Sequence, residues 1–92
     1  MFRRTKIVEP APVVTFYTRK KCHLCEIAKD MIMELQAEFP FTLQEVDIDS
    51  DDQLTELYGI MIPVVLIDGE EVQYGRIDKV VIRKRLQKKI SN

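Results

Sequence analysis

Two cysteines three positions apart, in Cys22-His23-Leu24-Cys25, are the residues of this sequence with the clearest capacity for chemistry. Thiols at that spacing can exchange disulfides or bind a soft metal ion, and each use makes its own demands on the surroundings. A tetrahedral structural zinc wants four ligands, whereas the chain has two cysteines and one histidine, so a metal would need a second copy or an external thiol. Nor is the pair a structural staple, since closing so short a loop removes little freedom from the unfolded chain. Disulfide exchange needs only the two sulfurs and a difference in reactivity between them.

The flanking residues supply that difference. Val13 to Thr18, rich in Val, Thr, Phe and Tyr after Pro10 and Pro12, reads as a strand. Apolar residues then recur at Leu24, Ile27, Ala28, Met31, Ile32 and Leu35, the spacing of one helix face, until Phe39-Pro40 ends it. Met33 falls off that face. Cys22 therefore stands where the helix begins, facing unpaired N–H groups and the positive end of the dipole, with Arg19, Lys20 and Lys21 just before it. Cys25 lies one turn inside, on the side of the apolar stripe. Cys22 is expected to attack and Cys25 to resolve. His23 reads as an exposed first-turn side chain.

The remaining elements follow from local signals. Phe41 to Asp49 predicts a second strand whose apolar parity slips between Leu43 and Val46, which calls for a bulge or a late start. Ser50 with Gln53 fits a capping box, and Asp51 and Asp52 suit the start of a short helix with Leu54, Leu57 and Tyr58 inside and Gly59 as its left-handed terminator. Val64 to Ile67, then Asp68-Gly69, then Val72 to Tyr74 predicts a hairpin whose first arm, apolar throughout, is covered on both faces. Asp78 is placed to cap a last helix with Val81, Ile82, Leu86 and Ile90 on its apolar side and Lys84, Arg85, Lys88 and Lys89 toward its end. The order β-α-β-α-β-β-α predicts an α/β fold, a four-stranded mixed sheet flanked by three helices. In that topology the start of the third strand lies beside the opening of the first helix, so Pro63, 41 residues after Cys22, should face the cysteines.

Composition sets the limits. At 92 residues, 46% hydrophobic and 32% charged, the chain reads as one globular domain over 1–92, with 1–12 as an N-terminal extension. It is too short for a dinucleotide-binding doubly wound sheet. A net charge of −1 gives no field to hold nucleic acid, although it conceals segments of +5 over 1–21, −12 over 22–75 and +6 over 76–92. The basic last helix and the acidic centre read as solvated faces. The longest apolar run, Ile60 to Ile67, contains Pro63 and falls well short of the ~20 residues that span a bilayer. With no apolar leader at the start, the expectation is a soluble, cytoplasmic protein without nucleic-acid or membrane partners.

The run Val14-Thr15-Phe16-Tyr17-Thr18-Arg19-Lys20-Lys21-Cys22-His23-Leu24-Cys25, with Glu45-Val46-Asp47-Ile48-Asp49, Ile62-Pro63-Val64 and Gly75 in the same order, resembles a small glutaredoxin-like protein of the thioredoxin superfamily over roughly residues 13–90. The resemblance implies a thioredoxin fold and thiol–disulfide oxidoreductase activity. It makes Cys22 the nucleophile, Cys25 the resolving cysteine and Pro63 the cis-proline. It puts Arg19 where the family carries a lysine for the glutathione carboxylate, and Ile62 where the backbone pairs with the glutathione cysteinyl group. Gly75 and Asp78 fall in the segment that holds the γ-glutamyl end. Tyr17 reads by itself as an ordinary strand aromatic, with a hydroxyl that could hydrogen-bond on the substrate side of the site.

The departures are His23-Leu24 in place of the family's usual Pro-Tyr, and Tyr74 and Ile77 where a glycine and an acid are usual. They bear on glutathione recognition more than on dithiol exchange. The expected partners are a disulfide-containing protein or small molecule and an electron donor, either glutathione or a flavoprotein disulfide reductase. A monomer with no bound cofactor or metal suffices. The alternatives are a soft-metal-binding or transfer module built on the same two thiolates, and an interaction module that docks through its basic helix.

Overall fold

In the computed structural model residues 11–90 are described, and β1 (Val13–Thr18) lies at the centre of everything that positions the cysteines. Its alternate residues Val14 and Phe16 are fully buried, as a strand with one face on the core requires. The chain continues through α1 (His23–Glu38), β2 (Thr42–Asp47), a single 3₁₀ turn (Ile48–Ser50), α2 (Asp52–Tyr58), β3 (Val64–Ile67), β4 (Glu70–Tyr74) and α3 (Lys79–Ile90). The sheet order is β2-β1-β3-β4, with β1 parallel to β2 and antiparallel to β3, and β3 antiparallel to β4. This is the mixed α/β sheet that the element order predicts.

Ala28, Ile32 and Leu35 of α1 and Ile82 and Leu86 of α3 pack with Val14, Phe16, Val65, Ile67, Phe41 and Ile77 into the main core on one face of the sheet. Val64 and Ile48 are also fully buried but lie outside that cluster, and α2 has no buried residue of its own. β3 is enclosed on both faces, as its continuous apolar run requires. The hairpin turn places Asp68 at φ 50° and Gly69 at φ 82°, the positive pair that Asp-Gly favours.

Several local expectations are corrected. β2 runs in unbroken register from Thr42 opposite Val13 to Asp47 opposite Thr18, and the irregularity lies instead in the β3–β4 ladder at Val65/Leu66. Of the two expected causes, β2 does start late, at Thr42, but the slip itself reflects its two faces: Leu43, opposite Val14, packs on the main core, and Val46, opposite Tyr17, is half-buried on the other face. Asp51, not Ser50, caps α2, accepting from the Gln53 N–H at 2.8 Å, while the Ser50 hydroxyl bonds back to the Asp47 carbonyl. Gly59 has ordinary right-handed angles (φ −53°, ψ −34°). It is glycine for space, since a Cβ there would meet the Thr55 carbonyl oxygen at 2.6 Å. Leu24, Ile27, Leu57 and Val81, expected on inner faces, are exposed, because each helix has a narrower contact stripe than its apolar pattern.

The charge segments are not merely solvated. Lys79 and Arg83 of α3 pair with Glu34 and Glu38 of α1, and Arg85 and Lys89 pair with Glu70 and Asp68 of the hairpin. The basic tail thus lies along acids of α1 and of the hairpin, outside the acidic stretch from Glu45 to Glu56. Arg3, Arg4 and Lys6 and most of the expected 1–12 extension lie outside the described residues, but Pro12 is buried and its carbonyl accepts from the Thr42 N–H at 2.9 Å.

Candidate active site

β1 delivers the chain to one end of the sheet and a tight turn redirects it into α1. Lys21 makes that turn at φ 57°, a left-handed conformation unusual for a side-chain-bearing residue. Cys22 follows in extended geometry (φ −114°, ψ 106°) as the N-cap of α1, and its sulfur accepts from the Cys25 N–H at 3.2 Å. Its carbonyl accepts from the Glu26 N–H at 3.1 Å, the first hydrogen bond of the helix. A cysteine sulfur thus occupies the position that Ser or Asp takes in ordinary caps, where N–H donors and the dipole favour negative charge.

Cys22 and Cys25 are joined as a disulfide, with Cα atoms 5.2 Å apart. Cys22 is half-buried, whereas Cys25 is 2% exposed within the core cluster. An attacking partner therefore reaches Cys22 first. His23 is exposed and Lys20 and Lys21 project into solvent beside it.

Pro63 arrives at the same end from the other side. The Ile62–Pro63 peptide bond is cis, and Pro63 is buried one residue before Val64 pairs with Tyr17 of β1 and Tyr74 of β4. Ile62 and Cys22 both pack against the main core as partly buried neighbours. The Ile62 N–H donates to the Tyr58 carbonyl at 3.1 Å and is thus taken within the chain. Gly75, at φ 77°, donates its N–H to the Pro63 carbonyl at 2.8 Å and ties the end of β4 to the proline loop. Positive φ, not crowding, requires glycine there.

The other expected substrate-side residues have internal partners. Tyr17 stacks on Tyr58 with ring centroids 4.6 Å apart and planes 19° from parallel. Burial pushes the Tyr58 hydroxyl pKa up, with Tyr17 and Glu71 adding to the shift, so the phenol stays protonated at neutral pH. Asp78 caps α3, accepting from the Val80 N–H at 2.9 Å, and its own N–H donates to the Gln73 side chain at 2.8 Å. It also borders an open groove of ≈ 440 Å³ with Leu24, Ile27, Met31, Arg76 and Ile77. Arg19 is bound in fork geometry by Asp49, a residue that sequence reasoning did not single out. The only sequence signal for that pair is strand alignment, which places the chain after β2 beside the chain after β1.

A second groove, of ≈ 480 Å³, is lined by Thr18, Arg19, Lys20, Lys21, Cys25 and Lys29 with Glu26, Glu45 and Asp47. Lys29 and Glu45 pair across it at 3.0 Å. Among the described residues no three His, Cys, Asp or Glu side chains gather as a metal-ligand set, and no helix is long and apolar enough to cross a membrane.

Known proteins are similar to this chain in sequence and in fold. Residues 13–87 match the family model described as Glutaredoxin-like domain (DUF836). An uncharacterized protein of Mycobacterium tuberculosis is 32% identical over 73 residues, covering 74% of this chain and 75% of the relative. A glutaredoxin-like protein of Dictyostelium discoideum is 35% identical over 72 residues, covering 72% of this chain and 67% of the relative. Among solved structures, a Nitrosomonas europaea protein superposes with a TM-score of 0.74 at 28% identity, over 94% of this chain and 99% of that one. A Halobacterium salinarum thioredoxin variant, at 18% identity and a TM-score of 0.69 over 89% and 77% of the two chains, shares the fold.

Proposed function

The chain belongs to the glutaredoxin-like domain family, and from that premise we propose that it is a thiol–disulfide oxidoreductase. The observation that carries the proposal is the asymmetry of the Cys22–Cys25 disulfide. One sulfur belongs to a half-buried residue that caps a helix N-terminus, and the other to a residue only 2% exposed, in the core one turn along.

In the reduced protein, the cap N–H groups and the dipole favour Cys22 as thiolate. The thiolate attacks one sulfur of a substrate disulfide, forming a mixed disulfide and expelling the other substrate sulfur as thiolate, which takes up a proton. Cys25 then loses its proton and attacks the Cys22 sulfur, which releases the second substrate thiol and restores the Cys22–Cys25 bond. Two electrons pass to the substrate, and two thiol equivalents from glutathione or a flavoprotein reductase return the protein to the dithiol. The Ile62 carbonyl beside Pro63 would hold a substrate backbone in extended form. A reducing compartment such as the cytoplasm suits this cycle.

The test is a disulfide-reduction assay driven in parallel by glutathione with its reductase and by thioredoxin reductase. Cys22→Ser should abolish turnover, and Cys25→Ser should accumulate a mixed disulfide visible by mass. Full turnover in Cys22→Ser would refute the mechanism.

A further inference from the structure

Arg19 stands three residues before Cys22, just past the end of β1, and lines the same groove as Cys25, Lys20 and Lys21. A guanidinium offers a planar fork of donors that matches a carboxylate, so Arg19 is the group at this site suited to hold a carboxylate-bearing thiol. One edge of that fork, Nε with Nη2, is already taken. Its Nε donates to Asp49 Oδ1 and Oδ2 at 3.1 and 3.2 Å, and its Nη2 donates to Oδ1 at 3.0 Å.

Asp49 is fixed in place by its neighbours. It lies in the 3₁₀ turn, where its N–H donates to Asp47 Oδ1 at 2.9 Å. The turn is held by the Ser50 hydroxyl on the Asp47 carbonyl and the Thr55 hydroxyl on the Ile48 carbonyl, both at 2.7 Å. Pairing of Thr18 with Asp47 brings this turn alongside Arg19. On the far side the guanidinium rests near Gly59, whose missing Cβ would lie 3.9 Å from Nη2. A carboxylate held this way has an effective concentration of about the mM range or above, so it competes well with a dissolved one.

Resting on the redox function proposed above, we propose that Asp49 is the internal occupant of a carboxylate-binding subsite at Arg19. It denies that subsite to small carboxylate-bearing thiols and leaves the cysteines to partners recognised by other contacts, chiefly polypeptide disulfides. Arg19 is 32% and Asp49 51% exposed, so the discrimination is modest. It amounts to about fivefold, the factor that corresponds to ~1 kcal/mol for a partly exposed pair.

The experiment reduces the oxidised full-length protein with mercaptoethanol and with mercaptopropionate, the second carrying a carboxylate. In each case the thiolate attacks Cys22, the Cys22–Cys25 bond breaks, and Cys25 leaves as thiolate and takes up a proton. A second thiol then frees Cys22 and departs as the small disulfide. The ratio of the two rates is compared between variants, so the difference in acidity and nucleophilicity between the two thiols cancels. Asp49→Asn should raise the mercaptopropionate-to-mercaptoethanol ratio about fivefold over the unsubstituted protein, the worth of one such pair. The double variant Asp49→Asn with Arg19→Met should lose that gain. An unchanged ratio in Asp49→Asn overturns the proposal, as does a gain that survives Arg19→Met, and so does an equal gain from Glu70→Gln, which raises the net charge by the same amount on the hairpin away from Arg19. An oxidised protein that resists both thiols would instead sink the redox function itself.

Discussion

The two ends of the central strand are built for opposite purposes. At the N-terminal end of β1 the backbone is closed by charge and hydrogen bonding: the Val13 N–H donates to Asp68 Oδ1 at 2.9 Å, Asp68 Oδ2 meets Lys89 at 3.2 Å, and the Asp68 N–H returns to the Val13 carbonyl at 2.8 Å. At the C-terminal end polar groups stand near an accessible disulfide, Lys21 holds a left-handed turn, and Ile60 is fully exposed in the loop before Pro63. One end uses its residues for local closure, and the other carries the disulfide at a half-buried position beside exposed lysines. Both are braced by the same core, since Phe16 of β1 and Ile32 of α1 are buried between them.

The comparison can be broken by finding activity that depends on the closed end or stability that depends on the reactive one. The largest effect expected is at Cys22. Cys22→Ser should remove all disulfide turnover, while unfolding of the reduced protein in urea shifts little compared with reduced wild type. Next comes the shared brace. Leu86, fully buried on α3, should cost about 2–5 kcal/mol when changed to Ala, measured by the same urea titration. Asp78→Ala should cost about 0.5–2 kcal/mol by uncapping α3, and retained stability would show that its carboxylate is not used as a cap.

Asp68 offers a pH signature of the closed end. The Val13 N–H, and then Lys89, hold its carboxyl below its ordinary value of 3.8, despite an opposing contribution from burial. Its ionised form is therefore favoured by folding. That stabilisation is complete above the ordinary value and is lost as pH falls through the lower folded one. Asp68→Asn should lower stability at neutral pH by about 0.2–1 kcal/mol, flatten the acid limb below about pH 4, and leave turnover per folded molecule unchanged. The smallest expected effect is Lys21→Gly. Relief of a positive φ, offset by the greater freedom of glycine when unfolded, should raise stability by a few tenths of a kcal/mol. Loss of the neighbouring cation should raise the Cys22 thiol pKa, read by the pH dependence of alkylation.

What the sequence by itself determined is what near neighbours along the chain decide. The N-cap position of Cys22, the end of α1 at Phe39, the Asp68-Gly69 turn, the cap at Asp78 and the order of elements all depend on residues within one or two turns of each other. Their spacing in the chain is their spacing in space, so periodicity and turn chemistry expose them. Where two local solutions were nearly equal, as with Ser50 and Asp51 at the start of α2, the 3₁₀ turn decided by taking the Ser50 hydroxyl for itself. The tertiary structure alone decided which apolar residues are covered: Leu24 and Ile27 follow the helical stripe of α1 but are left open, while Cys25, Ala28, Ile32 and Leu35 are buried and Met31 is partly covered. It alone also decided who pairs with whom, setting Arg19 against Asp49 across 30 positions and Lys79 and Arg83 against Glu34 and Glu38 across 45. Charges act through distance in space, and nothing local in a chain records the partner that strand register and helix packing bring alongside.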